Sequence, residues 1–125
     1  MTVNPLTIYN LYSSLYLSTA LEAEHSEYIL TLLTNTSFPI HDIAEIPEDV
    51  TIAHKFGNRY EGEEKYFHDC GIMYISSSRL FYCVMTKDLE VEEATKVIGA
   101  ITHRIYSYSI ETRSELDLYK DNLSL

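Results

Sequence analysis

Val50-Thr51-Ile52-Ala53-His54-Lys55-Phe56 is the stretch at which the sequence changes period. Within it side chains alternate, with Val50, Ile52 and His54 on one face, the pattern of a half-buried strand. Upstream the period is helical. Asn4-Pro5 supplies an Asn cap and a proline at the first helical position. Leu6, Tyr9, Leu11, Tyr12, Leu15 and Tyr16 follow at helical spacing. After a break near Leu17 to Leu21, a second helix runs from Glu22 to Thr34 with Tyr28, Ile29, Leu32 and Leu33 as its stripe; its early acids suit the helix dipole. Thr34 to Asp49, with Asn35, Pro39 and Pro47, reads as an irregular connection.

Downstream, Gly57 to Lys65 reads as a polar turn region, Phe67 to Ile75 as a second strand and Leu80 to Thr86 as a third. Ser76-Ser77-Ser78-Arg79 is the tight link between the last two. Three strands on short links predict an antiparallel meander. Val91, Ala94, Ile98, Ile101, Ile105 and Tyr108 then mark one stripe of a long helix, with Asp88 as its expected cap. Glu111 to Leu125 is a polar tail that frays or extends this helix. The fold class is therefore α+β: a helix pair (5–34), a loop (35–49), a meander (50–86) and a helix (88–110) packed on the sheet, followed by the tail (111–125). The meander is apolar on both faces: Ile72, Tyr74, Phe81, Cys83 and Met85 on one, Met73, Ile75, Leu80, Tyr82 and Val84 on the other. One helix covers one face, and the N-terminal pair is barely sufficient for the other.

Composition narrows function by exclusion. The 125 residues hold 9 Lys plus Arg against 19 Asp plus Glu, a net charge of −10. That balance argues against a nucleic-acid partner, since phosphate neutralisation needs clustered cations. A 46% hydrophobic content with 11 tyrosines is globular, and the length suits one domain. No apolar run approaches the ~20 residues of a membrane span. Cys70 and Cys83 are too few for a disulfide framework and are expected as buried free thiols, because a cross-strand bridge needs a directly opposed pair. His54, His68 and Asp69 carry acid–base and metal-ligating atoms. The expected role of His68-Asp69 is to order the start of a strand, and no metal or cofactor is expected. The tyrosines Tyr9, Tyr12, Tyr16, Tyr106 and Tyr108, at helical spacing, are expected to be half-buried with wet hydroxyls.

Three ordered segments carry a resemblance: Val50 to Gly57, His68-Asp69-Cys70-Gly71-Ile72-Met73-Tyr74, and Tyr82-Cys83-Val84-Met85-Thr86-Lys87. Ser26-Glu27-Tyr28-Ile29-Leu30 and Ile46-Pro47-Glu48-Asp49-Val50 extend it upstream. Together, from Ile8 to Tyr108, they resemble the C-terminal portion of class A β-lactamases, within the penicillin-recognising serine hydrolases. The resemblance implies a partial β-lactamase or transpeptidase fold in which Lys55 matches the signature lysine that faces the substrate carboxylate. Gly57 then lets substrate approach closely, and Asn58 follows at the position whose main-chain N–H is an oxyanion donor. Phe56 departs from the pattern by removing the usual hydroxyl, and Cys70 stands where many relatives carry an arginine.

The family nucleophile is a Ser-x-x-Lys. No serine here has lysine three residues on; the nearest is Ser76-Ser77-Ser78-Arg79. The resemblance therefore implies a C-terminal segment that is inactive alone. Its parent would act by acyl transfer on β-lactams or peptidoglycan-like amides, outside the bacterial cytoplasm. The alternative is a non-catalytic interaction module on a degenerate scaffold. In the family the third strand pairs with strands nearer the N-terminus. The Leu80–Thr86 edge or an exposed sheet face is therefore expected to form a homodimer or higher oligomer.

Overall fold

A cap and a proline start the first helix as the sequence predicts: the Asn4 side chain accepts from the Thr7 N–H at 2.9 Å, and α1 spans Pro5–Tyr16. The structure is a computed structural model that describes residues 3–76 and 78–123. α2 follows at Ala23–Leu33, and one short helix, α3 at Ile40–Ile43, interrupts the expected irregular connection. Three strands form one antiparallel sheet in the order β1-β2-β3: β1 Thr51–Glu61, β2 Glu64–Ile75 and β3 Ser78–Lys87. The expected α+β meander is present.

Three boundaries differ. Ser78 and Arg79, expected in the link between the last two strands, belong to β3, where they pair with Ile75 and Tyr74. Gly57 to Lys65 is not a turn region, because β1 and β2 continue through it until Glu61 faces Glu64. Only Gly62 and Glu63 turn, and Gly62 takes the positive φ of 61° that glycine adopts without strain. Asp88 does not cap the last helix. It sits at φ 61°, and its carboxylate accepts from the Lys65 N–H at 3.2 Å while its own N–H donates to the Lys65 carbonyl. The helix begins three residues later, where the Glu90 carbonyl accepts from the Ala94 N–H at 2.8 Å.

That helix, α4, runs Val91–Leu123, so the polar segment after Glu111 extends it. At 33 residues it is about 50 Å long, and its last ten residues, 114–123, are exposed. Its stripe divides. Ala94, Ile98 and Thr102 are buried against the sheet, whereas Val91, Ile101 and Tyr108 are exposed.

The two sheet faces are covered as the alternation predicts. α3 and α4 cover one face, where Ile40, Ala44, Ala94 and Ile98 pack with Ile52, Phe67, Met73, Tyr82 and Val84. Contact there is close: a Cβ at Gly99 would lie 2.4 Å from the Ile43 carbonyl oxygen, so glycine lets α3 dock on α4. His103 Nδ1, 2.7 Å from the Ala44 carbonyl oxygen, adds a hydrogen bond across the same junction. α1 and α2 cover the other face, where Tyr12, Leu15 and Leu30 pack with Ala53, Cys70 and Ile72.

Candidate functional site

Lys55, Phe56, Gly57 and Asn58 all lie on β1, one of the two edges of the sheet. Strand alternation splits them. Lys55 and Gly57 share the α1/α2 side with their register partners Cys70 and His68. Phe56 turns to the α4 side, stacking on Phe38 with ring centroids 4.2 Å apart and adding to the packed cluster there. Asn58, exposed, stands opposite Phe67. The structure thus brings Lys55 and Gly57 together and puts the Phe56 ring on the far side.

Lys55 is exposed, and its ammonium donates to the Phe56 carbonyl oxygen at 2.5 Å. Among the described residues no carboxylate pairs with it, in a chain of net charge −10. It stands at the rim of an apolar cavity of about 480 Å³ between the sheet and the helix pair, lined by Ile8, Leu15, Ile29, Leu33, Cys70 and His68 among others. Tyr12 also lines this cavity, and its hydroxyl donates to the Cys70 carbonyl at 2.8 Å; burial pushes its pKa up and keeps it a donor.

The space above Gly57 is occupied. A Cβ built there would fall 2.4 Å from Nε2 of His68, so the absent side chain makes room for that imidazole and not for an approaching ligand. Burial is the main influence lowering the His68 pKa. Asp69 opposes the shift, and the Lys55 charge adds to it.

His68-Asp69 does not order a strand start. Asp69 is fully buried in the middle of the α4-side core, where its carboxylate accepts from the Tyr82 hydroxyl at 2.5 Å and lies 2.9 Å from His54 Nδ1. A carboxylate only accepts, so Nδ1 carries a proton, and Nε2 is hydrogen-bonded with the Thr36 hydroxyl at 3.0 Å. The row Thr36, His54, Asp69, Tyr82 ties the loop after α2 to all three strands with each polar group satisfied, the condition for keeping a carboxylate in a core. Burial, then Asp69, holds the Tyr82 hydroxyl protonated. Gly71 belongs to this arrangement: a Cβ there would meet the Ala53 carbonyl oxygen at 2.4 Å and His54 Cβ at 2.6 Å. Alternation along β1 puts His54 on the buried face, but its partners follow only from the pairing of the strands. No group of three metal-ligating side chains gathers among the described residues.

Cys70 and Cys83 are not free thiols. The register sets them directly opposite, and they form a disulfide with an S–S length of 1.99 Å beneath α1. Of the five tyrosines expected to be half-buried, Tyr106 is so; Tyr12 is buried, and Tyr9, Tyr16 and Tyr108 are exposed.

On the opposite side of the molecule, β3 is the other sheet edge. Beside it lies an open apolar groove of about 700 Å³ formed by Leu80 with Ile101, Ile105, Tyr108 and Leu116 of α4, with Arg104 at its wall. No helix is long and apolar enough to cross a membrane among the described residues.

Comparison with curated proteins and with solved structures gives no match. Comparison with protein families gives one, the β-lactamase enzyme family, over residues 2–109. The match takes in the helix pair, β1 with Lys55 and Gly57, the disulfide-linked hairpin and the sheet-covering part of α4. The chain belongs to the β-lactamase enzyme family.

Proposed function

We propose that this chain forms the Lys-x-Gly wall of a β-lactamase-type substrate site and lacks the nucleophile that such a site needs. Lys55 meets the carboxylate of a β-lactam or peptidoglycan-like amide, and the main-chain N–H of Asn58 donates to the carbonyl oxygen as charge develops there. Gly57 separates the two. The complete reaction is acyl transfer: a serine oxygen bonds to the carbonyl carbon, the amide C–N bond breaks and the serine proton passes to the leaving nitrogen. The serine belongs to a Ser-x-x-Lys that these 125 residues do not contain, so the chain alone is not catalytic.

The observation that carries this reading is Lys55 itself, an exposed ammonium at a cavity rim with no paired carboxylate among the described residues. The family's sites lie outside the cytoplasm, and the same location is proposed here. The test is an NMR titration with benzylpenicillin. Shifts centred on the Lys55, Gly57 and Asn58 amides and lost in Lys55→Ala support the proposal; shifts elsewhere, or none, sink it.

One observation favours a second reading. His68 fills the space over Gly57 and Phe56 removes a hydroxyl, as in a scaffold kept for interaction after its site decayed. Both readings share a proposed association through β3, whose Leu80–Thr86 edge adjoins the apolar groove on α4. Light scattering after size-exclusion chromatography is expected to give a dimer or larger species, and a clean monomer removes this part.

A further inference from the structure

The cavity behind Lys55 has properties that the wall reading does not use. Its volume of about 480 Å³ falls within the roughly 300–1,000 Å³ of small-molecule sites. Its depth is hydrocarbon, with Leu15 buried and Ile8, Ile29 and Leu33 half-buried. Its polar groups are concentrated on the β1–β2 side. Lys55 and His68 stand on neighbouring strands and on the same face, offset by two positions in the register. The imidazole occupies the space over Gly57 that a side chain there would fill. A cation beside an apolar chamber, with no paired carboxylate among the described residues, calls for a ligand with one negative charge and a hydrocarbon body. A neutral apolar ligand would leave the ammonium unused, and a compact anion would leave the chamber unfilled.

We propose that the cavity between α1, α2 and the sheet binds an amphiphilic monocarboxylate, its hydrocarbon tail among Ile8, Leu15, Ile29 and Leu33 and its carboxylate on Lys55 with His68 alongside. The inference rests on the reading of Lys55 as a carboxylate-facing residue and adds the tail and its chamber. It concerns reversible binding, with no bond made or broken.

Octanoate is the probe, with acetate and octanol as controls, titrated into the full chain by calorimetry with methyl NMR locating the site. The expected result is saturable octanoate binding that shifts the methyls of Ile8, Leu15, Ile29 and Leu33, at least tenfold tighter than acetate. Lys55→Met keeps the aliphatic stem and removes the charge; it should weaken octanoate at least tenfold and leave octanol unchanged, the octanol result also showing that the variant is folded. Ile29→Phe should weaken both octyl probes. The proposal is overturned if octanoate does not saturate, if Lys55→Met leaves its affinity intact, or if the shifted methyls lie in the α4 groove. Octanoate binding that depends on Lys55, found alongside no benzylpenicillin response, upholds this inference and rejects the substrate wall. Octanoate binding that ignores Lys55, beside a Lys55-dependent penicillin response, does the reverse.

Discussion

The two faces of this one sheet are built differently. Under α3 and α4 the core is close-packed and holds a complete polar row from Thr36 through His54 and Asp69 to Tyr82. Under α1 and α2 the same strands carry a cavity, a disulfide and Lys55, which has no paired carboxylate among the described residues. A fully satisfied polar row fixes register and helix placement, since any slip strands a buried carboxylate. A loosely covered face tolerates change and leaves space for another molecule. The α4 side holds the fold together, and the α1/α2 side carries the proposed site.

Changes to the same residue type on opposite faces should therefore differ in cost. The largest effect is expected at Asp69. Asp69→Ala leaves His54 and Tyr82 without a buried acceptor and should cost about 3–5 kcal/mol in urea denaturation. A cost below about 1 kcal/mol would make the polar row incidental.

Glycine to alanine gives the sharpest contrast. At Gly71 the new methyl meets backbone and His54, which cannot withdraw, so Gly71→Ala should lose about 1–3 kcal/mol. At Gly57 it meets only the His68 ring, which can rotate toward the cavity, and the loss should be about 1 kcal/mol or less. Equal losses would erase the distinction between the faces.

The smallest effect is the pH dependence at His68. Burial lowers its pKa in the folded state, so the unfolded chain takes up the proton first as pH falls. Stability should decline as pH drops below the ordinary histidine value of about 6.5, and level off once the folded imidazole also protonates. His68→Gln should flatten that part of the melting-temperature profile. Superimposable profiles for the two proteins would place the imidazole in free solvent.

The same contrast separates what the sequence made legible from what it did not. Alternation in Val50 to Phe56 and in the two later strands, with the proline start of α1 and the stripe of α4, carried the element order and the sides on which the helices pack. The hairpin end around Glu61 and Glu64 escaped because its residues are charged beyond the core, where no burial pattern marks a strand. The polar run after Glu111 gave no sign of whether it would fray or continue as helix. Lys55 and Gly57 stood out through the family resemblance of the strand that carries them, since a Lys-x-Gly alone is a weak signal. The disulfide, the Asp69 row and the seating of His68 over Gly57 all depend on register between strands. Register is set by hairpin turn lengths, and a single-residue slip would exchange the faces. A local pattern does not contain it.

The central claim is a substrate wall without its nucleophile, in a chain that belongs to the β-lactamase enzyme family. Its most direct test is incubation of the chain with a fluorescent penicillin, followed by denaturing mass spectrometry. The account predicts the unmodified mass with no covalent label. A stoichiometric penicilloyl adduct on any serine of the chain would contradict it.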